Sequence, residues 1–312
     1  AGANVAQGRG SNMRDQADKL REMALNLKQE IEAEISRDLK HSRVIVISSG
    51  KGGVGKSTLA LNLSINLCTR GKKVILMDAD MGLANLDVML GLVTKFNIYH
   101  IVQQKKSMEE ITISGPEGLK IIPGGSGISE LANLEDTELK RILVELRKLD
   151  GVYDYMIIDT GAGISKSVMS FLLAAEDIIV ITTPEPTAIT DAYSLVKNVT
   201  KNSFAGSIYL VVNKVANDSE GILMAEKFKL VCQKFLSCEI KPLGHIVNEP
   251  LIGEGIRRQK AFIQIYPRST ASRNIATIVD RLIEASGQKS PGLEAKRGGI
   301  RSFIEKIAGL VK

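Results

Sequence analysis

Two lysines and two hydroxyl side chains stand among four glycines in Gly50-Lys51-Gly52-Gly53-Val54-Gly55-Lys56-Ser57-Thr58. From Gly50 to Ser57 the spacing is G-x-x-x-x-G-K-S, the pattern of a loop that wraps nucleotide phosphates. Each residue type has a physical reason to be there. Glycines lack a Cβ, so the backbone from Gly50 through Gly52, Gly53, Val54 and Gly55 can curl and aim successive N–H groups at phosphate oxygens. Lys56 would reach the β- and γ-phosphates, and Ser57 would place its hydroxyl in the shell of a Mg²⁺ ion. Thr58 follows where a helix begins, and the positive end of a helix dipole favours the same anion. Three carboxylates could complete the chemistry: Asp78 and Asp80 after one apolar run, and Asp159 after another. In a phosphate-loop protein Asp159 would hold Mg²⁺ through water, so Ser57, Asp80 and Asp159 form the candidate metal set.

These residues need elements that bring them to one edge. Val44–Ile47 leads into the glycine loop as a strand, and Leu59–Leu67 leads out as a helix. Lys73–Asp80 and Tyr153–Asp159 read as buried parallel strands, each ending in a carboxylate. Ligands bind at the carboxyl ends of strands in open α/β sheets, which puts all three acids near the phosphates. Thr160-Gly161-Ala162-Gly163 can flex beside them. Further strands are expected at Asp177–Thr182, Ser207–Asn213 and Leu243–Val247, with helices at Asp136–Leu149, Ala188–Thr200 and Ser269–Ala285. The turn Pro184-Glu185-Pro186-Thr187 precedes the second of these helices. The expected fold class is α/β, a doubly wound and mostly parallel sheet with helices on both faces.

Lys51 is a second lysine inside the loop, and holding phosphates within one subunit does not require it. The spelling K-G-G-x-G-K-[ST] resembles the deviant Walker A loop of the MinD/ParA family of P-loop ATPases. That resemblance extends over most of residues 43–285 and implies ATP and Mg²⁺ as ligands. It also implies an ATP-sandwiched homodimer in which Lys51 reaches the partner's phosphates. Asp78-Ala-Asp80 through Asp87 resembles the family's A′ motif and first switch, where Asp80 would position or activate the attacking water and Asp78 would support it. The implied catalytic set is therefore Asp80, Lys51, Lys56 and Asp78. Gly161 or Gly163 would approach the γ-phosphate, Asn213 would read the adenine edge, and Pro250, in Asn248-Glu249-Pro250, would wall the base pocket. Asp15-Gln16-Ala17-Asp18-Lys19-Leu20-Arg21 looks like the D-Q-A-x-x-L-R motif of the FlhG subgroup, and Asp159-Thr-Gly-Ala-Gly163 is spelled as in that subgroup. The subgroup sets flagellar number and placement. Asp15, Gln16, Ala17, Leu20 and Arg21 would then stimulate an FlhF-type GTPase, with flagellar switch proteins as further partners. A septum-site or partition ATPase and a non-catalytic, ATP-gated regulator of a flagellar transcription activator are the alternatives.

Composition bounds the partners. The chain of 312 residues has a formal net charge of +6, yet Lys289–Lys312 holds six basic and two acidic side chains. The remainder, with 35 basic and 33 acidic, is near neutral. A basic tail on a neutral body, with 4% aromatic residues and no Trp, argues against a nucleic-acid partner and for a localised anionic one. Cys68, Cys232 and Cys238 are odd in number and read as free thiols of a reducing compartment. No apolar run is long enough to span a bilayer and the N-terminus is no signal peptide, so the expected place is the cytoplasm, reversibly on the inner membrane face.

The expected organisation has five parts: a disordered 1–12, an amphipathic helix over 13–40, the ATPase domain over 43–286, a linker over 287–299, and a terminal helix over 300–312. In the first helix Met13, Ala17, Leu20, Ala24, Leu27 and Ile31 make one narrow apolar stripe. It could pack on its own domain or enter a partner's groove. In the last helix Ile300, Phe303, Ile304, Ile307, Leu310 and Val311 share a face, with basic residues off it. That pattern fits an in-plane membrane anchor, the alternative being a helix docked on protein.

Overall fold

The computed structural model describes residues 41–80, 86–124, 136–287 and 298–310. Eight strands among them form one sheet: β1 (Arg43–Ser49), β2 (Val74–Ala79), β3 (Ile113–Ser114), β4 (Lys120–Ile122), β5 (Tyr155–Ala162), β6 (Asp177–Thr182), β7 (Ser207–Val215) and β8 (Ile240–Val247). Their spatial order is β3-β4-β2-β5-β1-β6-β7-β8, with every pair parallel except β3 and β4. The expected fold class is the observed one. Strands such as Val44–Ile47 and Ile178–Ile181 are fully buried because helices cover both faces, hence their unbroken apolar spelling. Register decides the site: Asp159 lies beside Ile47 of β1 and beside Asp78 of β2. The acids of two strands therefore lie side by side on one side of the loop that follows the third.

The helices are α1 (Lys56–Thr69), α2 (Leu86–Leu90), α3 (Ile98–Val102), α4 (Met108–Ile111), α5 (Asp136–Arg147), α6 (Lys166–Ala174), α7 (Pro186–Lys201), α8 (Asp218–Leu236), α9 (Pro250–Arg257), α10 (Phe262–Ile265), α11 (Thr270–Gly287) and α12 (Gly299–Leu310). One half of the core is closed by α5, α6, α7, α8 and α12, the other by α1, α10 and α11. Cys232 is buried in α8, while Cys68 and Cys238 are half-buried, and all three are free thiols.

The C-terminal helix differs from the tethered anchor that its sequence suggested. Ile300, Phe303, Ile304 and Ile307 are buried, with Phe303 stacked on Phe171 of α6 at 6.2 Å between ring centroids. Each such side chain contributes about 1.5–3 kcal/mol of burial. Polar groups hold the helix start as well: Gly299 donates its N–H to Glu176, while the amides of Ile300 and Arg301 donate to Asp150. An amphipathic stripe specifies that an apolar face must be covered, not by what. Here the body of the protein covers it. Leu310 is left exposed, and Val311 lies outside the described residues. The motif at Asp15, Gln16, Ala17, Leu20 and Arg21 also lies outside them, as do residues 81–85 of the first switch and most of the linker. Among the described residues no helix is long and apolar enough to cross a membrane.

Candidate functional site

The glycine loop joins the carboxyl end of β1 to α1 at the centre of the sheet, where β5 lies on one side and β6 on the other. Gly53 and Gly55 have φ of 77° and 96°, left-handed values that favour glycine. Gly55 also lies against Asn213, whose Nδ2 would be 2.3 Å from a Cβ at that position. Gly50 is closer still to its neighbour, because a Cβ there would fall 2.2 Å from the backbone carbon of Asp191 in α7. Gly52 is exposed and Val54 is buried beneath the loop. The first turn of α1, with Ser57 and Thr58 half-buried in it, has no side-chain cap and no acidic residue. Its amides remain available to an anion.

Lys56 is almost fully buried and donates to Asp159 Oδ1 at 2.8 Å, with Asp80 Oδ2 at 3.8 Å. Burial pushes the Asp159 carboxyl above its ordinary range, opposed by Lys56 and Ser57 and reinforced by Asp80. Its second oxygen, Oδ2, is buried with no hydrogen-bond partner. A buried carboxylate oxygen left unpaired at the ligand edge suits a water in a cation's shell. Ser57, Asp80 and Asp159 are thus brought to one place, and the residues present fit Mg²⁺. Among the described residues no cluster of three His, Cys, Asp or Glu side chains could hold a metal alone.

Asp78 is placed otherwise than its neighbour two residues on. Its side chain is buried, Oδ1 accepting from the Asp80 amide and Oδ2 from the Leu86 amide at the start of α2. Asp78 therefore positions the segment that carries Asp80 rather than facing the phosphate site. Asp80 is partly exposed and lies against Gly161. Gly163 is left-handed at φ 91°, and its amide donates to Ser49 O at 2.8 Å. Near the end of β7 Asn213 gives Nδ2 to Val54 O at 2.7 Å, while Oδ1 is buried and unpaired. An unpaired amide oxygen at this edge suits the exocyclic amine of adenine. Pro250 opens α9 and is exposed one strand further out.

Lys51 leans within its own chain onto the N-terminus of α7, donating to Glu185 Oε2 at 2.8 Å and to Thr187 Oγ1 at 2.9 Å. Lys51 holds the Glu185 carboxyl below its ordinary value of 4.5. Glu185, Thr187 and Lys214, whose Nζ donates to Gly53 O at 2.8 Å, are site residues that sequence reasoning missed. The Pro-Glu-Pro-Thr turn was visible as a turn. Its contact with a lysine 134 residues earlier was not.

Comparison with known proteins bears on the family and the fold. A family model described as an AAA domain matches residues 42–205. A flagellum site-determining protein, YlxH, of Helicobacter pylori is 37% identical over 86% of this chain and 90% of its own. The antiactivator FleN of Pseudomonas aeruginosa is 30% identical over 85% of this chain and 93% of its own. Among solved structures, the septum site-determining protein MinD with Mg-ADP from Pyrococcus horikoshii superposes with a TM-score of 0.65. It is 25% identical, over 80% of this chain and all of that one. A chain of the MinC:MinD cell division protein complex of Aquifex aeolicus is 27% identical with a TM-score of 0.62, over 80% of this chain and 98% of that one.

Proposed function

This chain belongs to the MinD/ParA family of P-loop ATPases, and from that premise we propose that it is a slow, Mg-ATP-dependent, dimerising ATPase that regulates flagellar number or placement. The observation that carries the reading is the pair of lysines in one loop, each resting on a carboxylate of its own chain: Lys56 on Asp159, Lys51 on Glu185. Both are charged donors parked where phosphate oxygens would displace the carboxylates.

In the proposed reaction Lys56 turns from Asp159 to the β- and γ-phosphates, and the amides of the loop and of α1 hold the rest of the phosphate chain. Mg²⁺, held by Ser57 and reached through water by Asp159 and Asp80, would neutralise charge developing on the transferred phosphoryl group. Asp80 orients the attacking water, with Asp78 fixing its backbone. Asn213 offers Oδ1 to the adenine, and Pro250 stands at the outer wall of that pocket. Lys51 leaves Glu185 and Thr187 for the phosphates of a second subunit, so turnover depends on pairing. Reversible attachment to the inner membrane face would require α12 to leave its groove and turn Ile300, Phe303, Ile304 and Ile307 outward. Two anchors on one dimer bind far better than one.

The flagellar role rests on the two relatives over most of the chain and on the motif at Asp15–Arg21, through which an FlhF-type GTPase would be stimulated. The name of FleN supports a second reading, in which the ATP-bound dimer sequesters a transcription activator. Lys51→Ala tests the core of the proposal. The variant should bind ATP as the wild type does, elute as a monomer with ATP, release phosphate at least tenfold more slowly, and fail to co-sediment with anionic liposomes. Wild-type turnover in that variant would overturn the role of Lys51 across the dimer.

A further inference from the structure

Helix α8 carries five of the exposed large apolar side chains among the described residues. Ile222, Leu223, Leu230, Val231 and Phe235 are between 42% and 64% exposed; at 100° per residue Leu223 and Leu230 lie together opposite the buried Gly221, Ala225, Phe228 and Cys232, with Ile222 and Val231 on either flank and Phe235 beside the buried side at the helix end. Apolar side chains in that number on one helix, unlike singly scattered ones, mark a surface that something covers. We propose that the cover is the apolar stripe of the same chain's N-terminal segment, Met13, Ala17, Leu20, Ala24, Leu27 and Ile31.

Three observations point to this occupant. The first is reach. The described chain starts at His41, on the amino-terminal rim of the sheet, where Ser42 is bonded to Asp150 and Tyr153. The C-terminal end of α8 lies at the same rim, since β8 begins four residues after Leu236. From β1 to β8 is three strand spacings, about 14 Å. Residues 32–40 can span about 30 Å, enough to bring Ile31 to the foot of α8 with the two segments parallel.

The second is shape. Leu223 and Leu230 are seven residues apart, the same step as Ala17 to Ala24 and Leu20 to Leu27. A shared seven-residue step lets large side chains of one helix enter gaps beside small ones of the other along the whole contact. The third is charge. At 100° per residue, Leu223 and Leu230 occupy the middle of the exposed face, with Glu226 on one rim and Lys227 and Lys234 on the other. One rim of the N-terminal stripe carries Arg14, Arg21 and Lys28, and the other carries Glu30. The parallel arrangement that the tether favours can set the basic rim beside Glu226 and Glu30 beside the lysines.

Docking would hold Arg21, and with it the Asp15–Arg21 motif, against α8, so a partner must compete with the ATPase body for the stripe. That consequence rests on the partner role proposed above; the docking itself does not. The test is amide hydrogen exchange on the full chain, without nucleotide, for the wild type and for L230E/F235E. Both substituted positions are exposed and lie on α8, away from the phosphate loop, so thermal unfolding and basal phosphate release serve as controls for an intact fold. Residues 13–31 should exchange at least tenfold more slowly in the wild type than in L230E/F235E. The conservative variant L230M/F235L should keep the slow exchange. Equal exchange in wild type and L230E/F235E would overturn the proposal. So would protection that disappears on hundredfold dilution, which would assign the face to a second copy of the chain. A wild-type chain without ATPase activity but with the slow exchange would refute the function and leave the docking standing.

Discussion

The two rims of the sheet are built from the same kinds of residue and treat them differently. On the amino-terminal rim the buried charges among the described residues are answered. Arg43 donates to Asp177 at 2.6 Å, to Leu282 O and to Tyr209, and Asp150 and Glu176 together receive the first amides of α12. On the carboxyl rim the accounts stay open. Among the described residues the buried side-chain atoms without a hydrogen-bond partner are Ser48 Oγ, Asp159 Oδ2, Thr183 Oγ1 and Asn213 Oδ1. They belong to the ends of β1, β5, β6 and β7, all on the ligand side. A buried polar group left unpaired costs about 1–3 kcal/mol. A fold that satisfies one rim and leaves such groups on the other is stable at the first and incomplete at the second.

That contrast can be broken from either side. Arg43→Ala should have the largest effect on stability, about 3–5 kcal/mol, because Asp177 is wholly buried and would lose its counter-charge. Urea unfolding measures it, and nucleotide affinity of the folded fraction should be unchanged. If the loss is below 1 kcal/mol, the amino-terminal rim is not what holds the sheet. Asp159→Asn should act chiefly on activity. The change keeps the side chain's shape but removes the nearest counter-charge of the buried Lys56, so the urea midpoint should fall, though by less than in Arg43→Ala because Asp80 remains 3.8 Å from Lys56. Phosphate release with Mg-ATP should fall by about 10²–10³-fold, the usual scale for losing one preorganised electrostatic group. A variant that is both unstable and active would dissolve the distinction between the rims.

The smallest effect is a titration. Glu185 is held below 4.5 by Lys51, so its pairing persists as pH falls through the ordinary glutamate range and is lost only below it. Carboxyl resonances followed by NMR should give Glu185 a midpoint below 4.5 in the wild type, moving upward in Lys51→Ala. An unshifted midpoint in the wild type would remove the contact in solution.

Much of the carboxyl rim could be read from the chain and little of the amino-terminal rim. Gly50–Ser57, Asp80 and Asp159 are legible because a phosphate loop constrains residue type at fixed local spacing, and because apolar runs such as Lys73–Asp80 end in the acids they deliver. Asp78 and Asp80 look equivalent by period. Only the end of β2 at Ala79 gives one a buried positioning task and leaves the other near Lys56. The capping of α12 by Asp150 and Glu176 spans more than a hundred residues and has no local signature. The face of α8 has none either: its apolar positions spell an ordinary helix, and which of them are covered depends on strands on both sides of it in the sequence.

Gly50 leaves a further consequence. Its contact with the Asp191 backbone fixes the loop against α7, so Lys51 and the Glu185–Thr187 turn start from a set separation. For a chain that pairs through Lys51, this makes Glu185 an intramolecular competitor at constant effective concentration, against which a second subunit's phosphates are weighed. The self-association isotherm is then displaced to higher protein concentration by a factor that the turn alone sets. Cells holding less protein than this threshold would keep the subunits apart even when ATP is plentiful.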